Sequence, residues 1–279
     1  MSELKTIAVY AADEVRADKV FGVACALAAQ HDAHLTGLFA MPPDLNLPVF
    51  ALGRQLTAAG DKILRERSER LGQLFERIGS ALQVKKEWRR VEAHHQAIPT
   101  ALASHLRATD LVVTSQRDPG WEDSLLLEFP EELVMTAGRP VLVVPKSTAG
   151  TTVGRRVVLA WNDKREAARA AFDALPMLAK AEQVRIVWVN PNREAAFSGD
   201  VPTAGIAAAL ARHNVKCVSS VAYGPDASVG DVLLNECADF GADLLVMGGY
   251  GHTRLREYVL GGATRHILKS MTVPVMLSH

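Results

Sequence analysis

A set of closely spaced glycines near the end of the sequence could bind a phosphate group. The apolar run Leu244–Met247 predicts a buried strand, and glycines follow it directly. A second group of glycines precedes Thr264 and an apolar-periodic stretch that predicts a helix. The glycines are Gly248, Gly249, Gly251, Gly261 and Gly262. Glycine allows backbone N–H groups to approach a bulky ligand, and a helix N-terminus favours an anion, so this stretch predicts a phosphate cradle.

Other interpretations of these glycines use the same residues. Glycines also end strands and begin helices for steric reasons alone, and that interpretation stays open. The sequence has no Gly-Lys-Ser/Thr after a glycine loop and no Gly-x-Gly-x-x-Gly. The motifs of a P-loop kinase and of a dinucleotide-binding enzyme are therefore missing.

Predicted strands and helices alternate along the sequence, which indicates an α/β fold with a mainly parallel sheet. The predicted strands are Thr6–Tyr10, Leu35–Phe39, Val84–Ala93, Asp110–Thr114, Pro140–Pro145, Arg156–Trp161, Val184–Val189, Val215–Ala222, Leu244–Met247 and Pro274–Leu277. The predicted helices are Ala17–Gln30, Leu52–Leu82, Ile98–Arg107, Glu131–Ala137, Arg165–Ala181, Thr203–His213, Val229–Phe240 and the one after Gly262. Val84–Ala93 is polar, so we place it near a sheet edge.

The two halves of the sequence repeat one another. Ala108–Ser115 overlies Gly241–Gly248, and a small, polar linker separates the halves. We therefore predict two tandem domains, residues 1–147 and 155–279. The last predicted strand of each half is apolar and would leave a bare sheet edge, so we expect the two strands to pair with each other.

The spacing Gly248-x2-Gly251-x9-Gly261 resembles the signature of the universal stress protein family, in its ATP-binding branch. The resemblance covers essentially the whole chain. It implies two flavodoxin-like (adenine nucleotide alpha hydrolase-like) domains, each a five-stranded sheet with helices on both faces. In that family the glycines and a following Ser or Thr hold the triphosphate and ribose. Here Gly262 stands at the Ser/Thr position, and the nearest hydroxyl is on Thr264.

The resemblance implies an adenine-nucleotide site in the second half, which would bind ATP alone or with Mg²⁺. Asn162 matches the family's adenine-binding acidic residue and can offer a carbonyl acceptor, while Val189 would present main-chain groups to the base. The candidate binding residues are Asn162, Asp163, Val189, Gly248, Gly249, Gly251, His252, Gly261, Gly262, Ala263 and Thr264.

The first half lacks these glycines. Ser115 overlies Gly248, Asp118 overlies Gly251, and either Leu127 or Glu128 overlies Gly261. Side chains at these places would block a triphosphate, and a carboxylate at Asp118 would repel it. We therefore predict one nucleotide site per chain.

No residue is predicted to be catalytic. No carboxylate pair, Ser-His-Asp set or reactive cysteine has a spacing that suggests turnover. His94 and His95 would point to opposite faces of a strand, so no metal site is predicted. The leading hypothesis is a nucleotide-binding stress protein whose ligand biases conformation or assembly. The alternatives are a slow ATPase or nucleotide-dependent transferase that uses Asp163 or His252, and a ligand-free scaffold.

The composition limits the classes of binding partner and the cellular compartment that we expect. Lys and Arg number 31, as do Asp and Glu, so the formal net charge of zero gives no electrostatic reason to expect nucleic acid or a membrane surface. The three cysteines form no Cys-x-x-Cys and indicate a reducing compartment. We expect a cytoplasmic protein that forms a homodimer.

Overall fold

The computed structural model describes residues 3–42, 50–94, 96–148, 150–191, 203–224, 227–249 and 262–279, without the side chains of 50–59. The chain forms two compact units, one of residues 4–139 and one that consists mainly of residues 140–279. In the part of the chain that is described, no helix is both long enough and apolar enough to cross a membrane.

The first unit has a parallel sheet with strand order β3-β2-β1-β4. Its strands are β1 (Thr6–Tyr10), β2 (His34–Met41), β3 (Lys86–Glu92) and β4 (Leu111–Ser115). Its helices are α1 (Glu14–His31), α2 (Phe50–Ala81), α3 (Ile98–Leu106), α4 (Ser124–Leu127) and α5 (Pro130–Thr136). Ile7 pairs with both Leu35 and Leu111, and all three side chains are fully buried. The apolar central strands thus form the core, and the polar β3 lies beyond β2.

The second unit continues the same alternation. Its strands are β5 (Val141–Val144), β6 (Arg156–Ala160), β7 (Gln183–Val189), β8 (Cys217–Ala222), β9 (Leu244–Gly248) and β10 (Val275–Ser278). Its described helices are α6 (Arg165–Asp173), α7 (Leu175–Leu178), α8 (Ala204–Arg212), α9 (Val229–Phe240) and α10 (Gly262–Ser270). The strand order is β5-β10-β9-β6-β7-β8, and every pair except β5 with β10 is parallel.

The last strands of the two repeats do pair, as predicted. β5 runs antiparallel to β10, with Val143 opposite Val275. β5 therefore belongs to the second compact unit although it is the last strand of the first repeat. The predicted domain limits, 1–147 and 155–279, describe copies of the repeat and stay a prediction.

The predicted fold class, α/β with a mainly parallel sheet, is confirmed, and most element bounds agree within a few residues. The single helix predicted over Arg165–Ala181 is wrong, because the chain divides it at Ala174 into α6 and α7. Pro176 lacks the N–H that would continue the α6 hydrogen-bond ladder. The four-residue helix α4 was not predicted, since so short a segment has no periodicity to detect.

An aspartate at the same place in both repeats holds the start of a strand. Asp110 Oδ2 accepts hydrogen bonds from the N–H groups of Lys5 and Thr6, at 2.8 and 2.9 Å, just where β1 begins. Asp243 accepts from the N–H groups of residues 154, 155 and 156 at the start of β6. The repeated aspartate thus has a structural role. Asp110 joins the start of β4 to the start of β1, and Asp243 joins the start of β9 to the start of β6.

Candidate functional site

The candidate nucleotide residues meet at one edge of the second sheet. Ala160 of β6 pairs with Val187 of β7, and Leu159 pairs with Val246 of β9, so these parallel strands end at the same edge. After β6 the chain continues to β7 on one side, whereas β9 is followed by β10 on the other. The point between β6 and β9 is therefore the topological switch point, where open α/β sheets bind their ligands. The ends of these strands carry Asn162, Val189 and Gly248.

Gly248 gives helix α6 room to approach the sheet. A Cβ atom at this position would lie 2.5 Å from the carbonyl carbon of Glu166 and 2.7 Å from the amide nitrogen of Ala167. Both are backbone atoms in the first turn of α6, which packs its alanines against β9. The steric interpretation of this glycine therefore has direct support at Gly248.

Gly249 is buried and is used by the sheet. Its N–H donates to the carbonyl of Ser278 at 2.8 Å, and its own carbonyl lies 3.3 Å from Nδ1 of His279. This N–H group is therefore already occupied. The N–H donors for a phosphate must come from other residues of the motif.

Helix α10 is described from Gly262 onwards, and a helix was predicted after this second glycine group. Gly262 is exposed, and a Cβ atom there would meet nothing within 4 Å. Thr264 is only 3% exposed, because it lies on the same core-facing stripe as Ile267 and Leu268. The surface at the start of α10 is thus formed by Gly262 and the half-buried Ala263, while the hydroxyl-bearing side chain packs inward.

The proposed base-binding residues lie at the ends of two strands, Asn162 and Asp163 in the loop after β6 and Val189 at the end of β7. Asn162 is exposed, and its Oδ1 accepts from the N–H of Lys164 at 3.2 Å, which leaves one lone pair for a ligand. Asp163 is exposed and adopts the left-handed conformation at φ 57°. Beyond the half-buried Val189, Asn190 exchanges two side-chain hydrogen bonds with the backbone of Gly224, at 3.0 and 3.2 Å. This link, which joins the ends of β7 and β8, was not predicted.

Three candidates, Gly251, His252 and Gly261, lie outside the described residues. Within the described ranges, no group of three or more His, Cys, Asp or Glu side chains is arranged to hold a metal ion.

An acidic side chain lies beside the cradle at the start of α6. Glu166 is 8% exposed and packs its Cβ against Gly248. Burial raises the pKa of this carboxyl, but the hydrogen bond from Arg165, a backbone hydrogen bond and the nearby charges of Arg165 and His279 together hold the pKa below its usual value. Glu166 is therefore a carboxylate at neutral pH, and it would repel a bare phosphate.

The equivalent place in the first unit holds an ion pair. Ile7 pairs with Leu111 as Val157 pairs with Leu244, so the two sheets superpose in register and Ser115 corresponds to Gly248. The guanidinium of Arg16 donates to the carboxylate of Glu128, which is 2% exposed. The switch point of the first unit is thus occupied by a side chain of the unit itself.

This arrangement corrects one detail of the sequence interpretation. Asp118 was expected to place its carboxylate at the phosphate position. Its Oδ1 instead accepts from the N–H of Gly120 at 3.1 Å, while its backbone N–H donates to Glu128 at 2.7 Å. Glu128 is the residue that fills the site, because the short helix α4 returns the chain to the end of β4.

The model of the universal stress protein family matches residues 193–279. The predicted resemblance to the family is thereby confirmed for this part of the chain, while its ATP-binding branch stays a prediction. A search of the curated proteins found no match.

A solved universal stress protein shares the fold of this chain. A universal stress protein from Archaeoglobus fulgidus is similar over 98% of this chain and 95% of that chain, with a TM-score of 0.72 at 14% identity. A functionally unknown protein from Pseudomonas aeruginosa is similar over 99% of this chain and 92% of that chain, with a TM-score of 0.59 at 14% identity. The match to a universal stress protein solved in complex with cAMP covers 46% of this chain and 99% of that protein, with a TM-score of 0.36 at 19% identity.

Within the universal stress protein fold, the sequence interpretation missed the residues that act across long separations. Arg16 and Glu128 are 112 residues apart, and nothing in the sequence joins them. The sequence places Glu166 in the first turn of a helix but does not show that its side chain is buried. Asp110 and Asp243 occupy equivalent positions of the two repeats, and this recurrence in the sequence could have indicated their shared structural role.

Proposed function

We propose that this chain is a stress-response protein whose second unit binds ATP or a related adenine nucleotide, and that the bound nucleotide biases its conformation or assembly in the cytoplasm. The observation that carries the proposal is the position of helix α10. Its described part runs from Gly262, within the glycine motif, and Gly262 is exposed.

The start of α10 can provide donors for a phosphate. The first four N–H groups of an α-helix have no intrahelical partner, and the helix dipole adds partial positive charge there. Because α10 connects two neighbouring parallel strands, β9 and β10, it starts at the edge where β9 ends. That edge also carries Asn162 and Val189, which supports a nucleotide with its phosphates at α10 and its base at β6 and β7.

Glu166 favours a nucleotide that brings a cation. Its Cβ atom packs against Gly248 and its side chain is buried, so we place its carboxylate near the phosphates of a bound nucleotide. Mg²⁺ is bound through one or two carboxylates together with phosphate oxygens, and it would convert this repulsion into attraction. We therefore propose MgATP as the favoured form of the ligand.

The proposal is tested by a gain of affinity. The resemblance implies a Ser or Thr at position 262, and the open space around the Cβ position admits one. Gly262→Ser should add a hydroxyl hydrogen bond to a charged phosphate and tighten ATP binding ~10–100-fold, since such a bond is worth about 1.5–3 kcal/mol. Isothermal titration of ATP with Mg²⁺ measures the change.

Gly262→Ala is the matched control, because it adds the Cβ atom without the hydroxyl. Gly251→Val should weaken binding, and Asp118→Ala in the first unit should leave it unchanged. Equal affinities for Gly262→Ser and Gly262→Ala would argue against a phosphate at this helix. No binding by the wild type would leave the scaffold, and phosphate release over hours would indicate the slow ATPase.

The assembly part of the proposal has its own measurement. We expect a homodimer, and a change in its stability or dimensions when ATP binds. Light scattering with and without ATP measures the mass. A monomer at micromolar concentration in both conditions would exclude a role for nucleotide in dimer formation.

A further inference from the structure

We propose that the first unit contains a built binding site for a small oxyanion, which the chain fills with the carboxylate of its own Glu128. The site would accept a free carboxylate or inorganic phosphate once this side chain is removed. The inference uses residues of the first unit only, so it stands apart from nucleotide binding in the second.

The Glu128 carboxylate is bound as a ligand would be. Its Oε1 accepts from the hydroxyl of Ser115 at 3.1 Å and from the guanidinium of Arg16. Its Oε2 accepts from the N–H of Asp118 at 2.7 Å and the hydroxyl of Ser124 at 2.9 Å. A carboxylate has about four acceptor positions, so this set satisfies it fully. Hydroxyls, a backbone N–H and an arginine are also the donors that bind free oxyanions.

The donors are enclosed and held in place. Ser115 and Ser124 are 7% and 2% exposed. The Arg16 side chain is 13% exposed and is fixed at three points, because it also donates to the carboxylate of Asp13 and to the carbonyl of Gln116 at 2.9 Å. Such fixed polar groups retain the geometry for an oxyanion and lose little entropy when one binds.

The backbone around Glu128 is anchored without its carboxylate. The hydroxyl of Tyr10 donates to the carbonyl of Leu127 at 2.9 Å, and the ring of Tyr10 lies 5.1 Å from the ring of Phe129. The Arg117 side chain donates to the backbone carbonyl of Glu128 at 2.9 Å. Removal of the carboxylate should therefore leave a small polar cavity with its donors still in position.

The size of the site defines the class of ligand. Leu127 is fully buried and Glu128 is 2% exposed, so the segment that carries Glu128 stays inside the unit when only the carboxylate is removed. A formate ion or a single phosphate matches the vacated group, whereas a nucleoside triphosphate has no room. This explains why the first unit would have no nucleotide site even though it retains an anion site.

The test is chemical rescue of Glu128→Ala in the full chain. The variant should lose on the order of 10 °C in the melting temperature, because it removes one of the two carboxylates that pair with the buried Arg16. Formate or inorganic phosphate, exchanged for chloride at constant ionic strength, should restore much of this loss with a saturable concentration dependence. The wild type and the exposed-residue control Glu132→Ala should show no saturable effect.

A second variant identifies the donor. In Arg16→Ala/Glu128→Ala the rescue should be lost, because the charged donor is gone. Equal rescue of both variants, or an effect in Glu128→Ala no larger than in the wild type, would overturn the proposal.

If Glu128→Ala does not fold, Glu128→Gln keeps the side-chain volume and removes the charge. Arg16→Ala should then lower the melting temperature by less in the Glu128→Gln background than in the wild type. Equal losses in the two backgrounds would show that Arg16 does not act on the carboxylate, and would also overturn the proposal.

Discussion

Replacement of Gly248 by alanine should destabilise the second unit even without nucleotide. The added Cβ atom would lie 2.5 Å from the carbonyl carbon of Glu166, and non-bonded carbons rest at about 3.5–4.0 Å. The start of α6 must therefore move by roughly 1 Å. Overpacking of this kind costs about 1–3 kcal/mol, and the upper end applies because backbone atoms cannot rotate away. The melting temperature should fall by roughly 5–10 °C.

Gly262→Ala is the control for this prediction, because it lies in the same motif but has open space around its Cβ position. Alanine is the better helix former, so this variant should melt at or slightly above the wild-type temperature. Both variants are compared by thermal and urea unfolding without nucleotide, and then by ATP titration. A Gly248→Ala protein that melts like the wild type but has lost ATP binding would refute the packing argument and assign Gly248 to the ligand.

Two further predictions concern titratable groups. Asp110→Ala and Asp243→Ala should each cost about 1–2 kcal/mol in urea unfolding, unlike the exposed control Asp18→Ala, since each removes an acceptor of two or more backbone N–H groups. Burial raises the pKa of Asp110, but the hydrogen bonds from Lys5 and Thr6 together lower it below its usual value. The stabilisation by Asp110 is therefore present above about pH 4 and is lost as the pH falls through the lowered pKa. A loss of unfolding free energy in Asp110→Ala that does not depend on pH would contradict this. Burial raises the pKa of Cys25 to about 11 and that of Cys237 to about 12, so neither should react with a thiol reagent at pH 8 before Cys217 does. Rapid labelling of all three cysteines in the folded protein would contradict the predicted order of reaction. Because these pKa values exceed the usual thiol pKa of about 8.5, the stability linked to both thiols is intact below that pH and declines as the pH rises towards 11–12.

Local and repeated features of the fold were predictable from the sequence. Strand β1 and helix α9 have the predicted bounds, because an apolar run and a periodic stretch each end at clear breaks. The pairing of β5 with β10 followed from the need to cover two apolar edges. The helix at Arg165 was predicted too long because apolar periodicity continues past Pro176, which interrupts only the hydrogen bonds.

The chemistry of the candidate site was harder to predict. A glycine in the sequence can serve close packing or the approach of a ligand, and its residue type does not distinguish the two. Only the contacts of Gly248 with α6 show that close packing applies at that position. The burial of Thr264 depends on which face of α10 meets the core. The occupation of the first site by Glu128 depends on the path of the chain between β4 and α5, for which neither residue type nor spacing is a guide.

The β5–β10 pair also bears on how the protein is made. β5 leaves the ribosome first, and its partner at Val275–Ser278 follows roughly 130 residues later. At about 5–20 residues per second, the nascent chain must wait on the order of 10 s before that edge can be covered. During this interval four valine and leucine residues offer unpaired backbone groups to any other chain. We expect co-translational chaperones to matter most for this segment, and slow synthesis of the second half to raise aggregation.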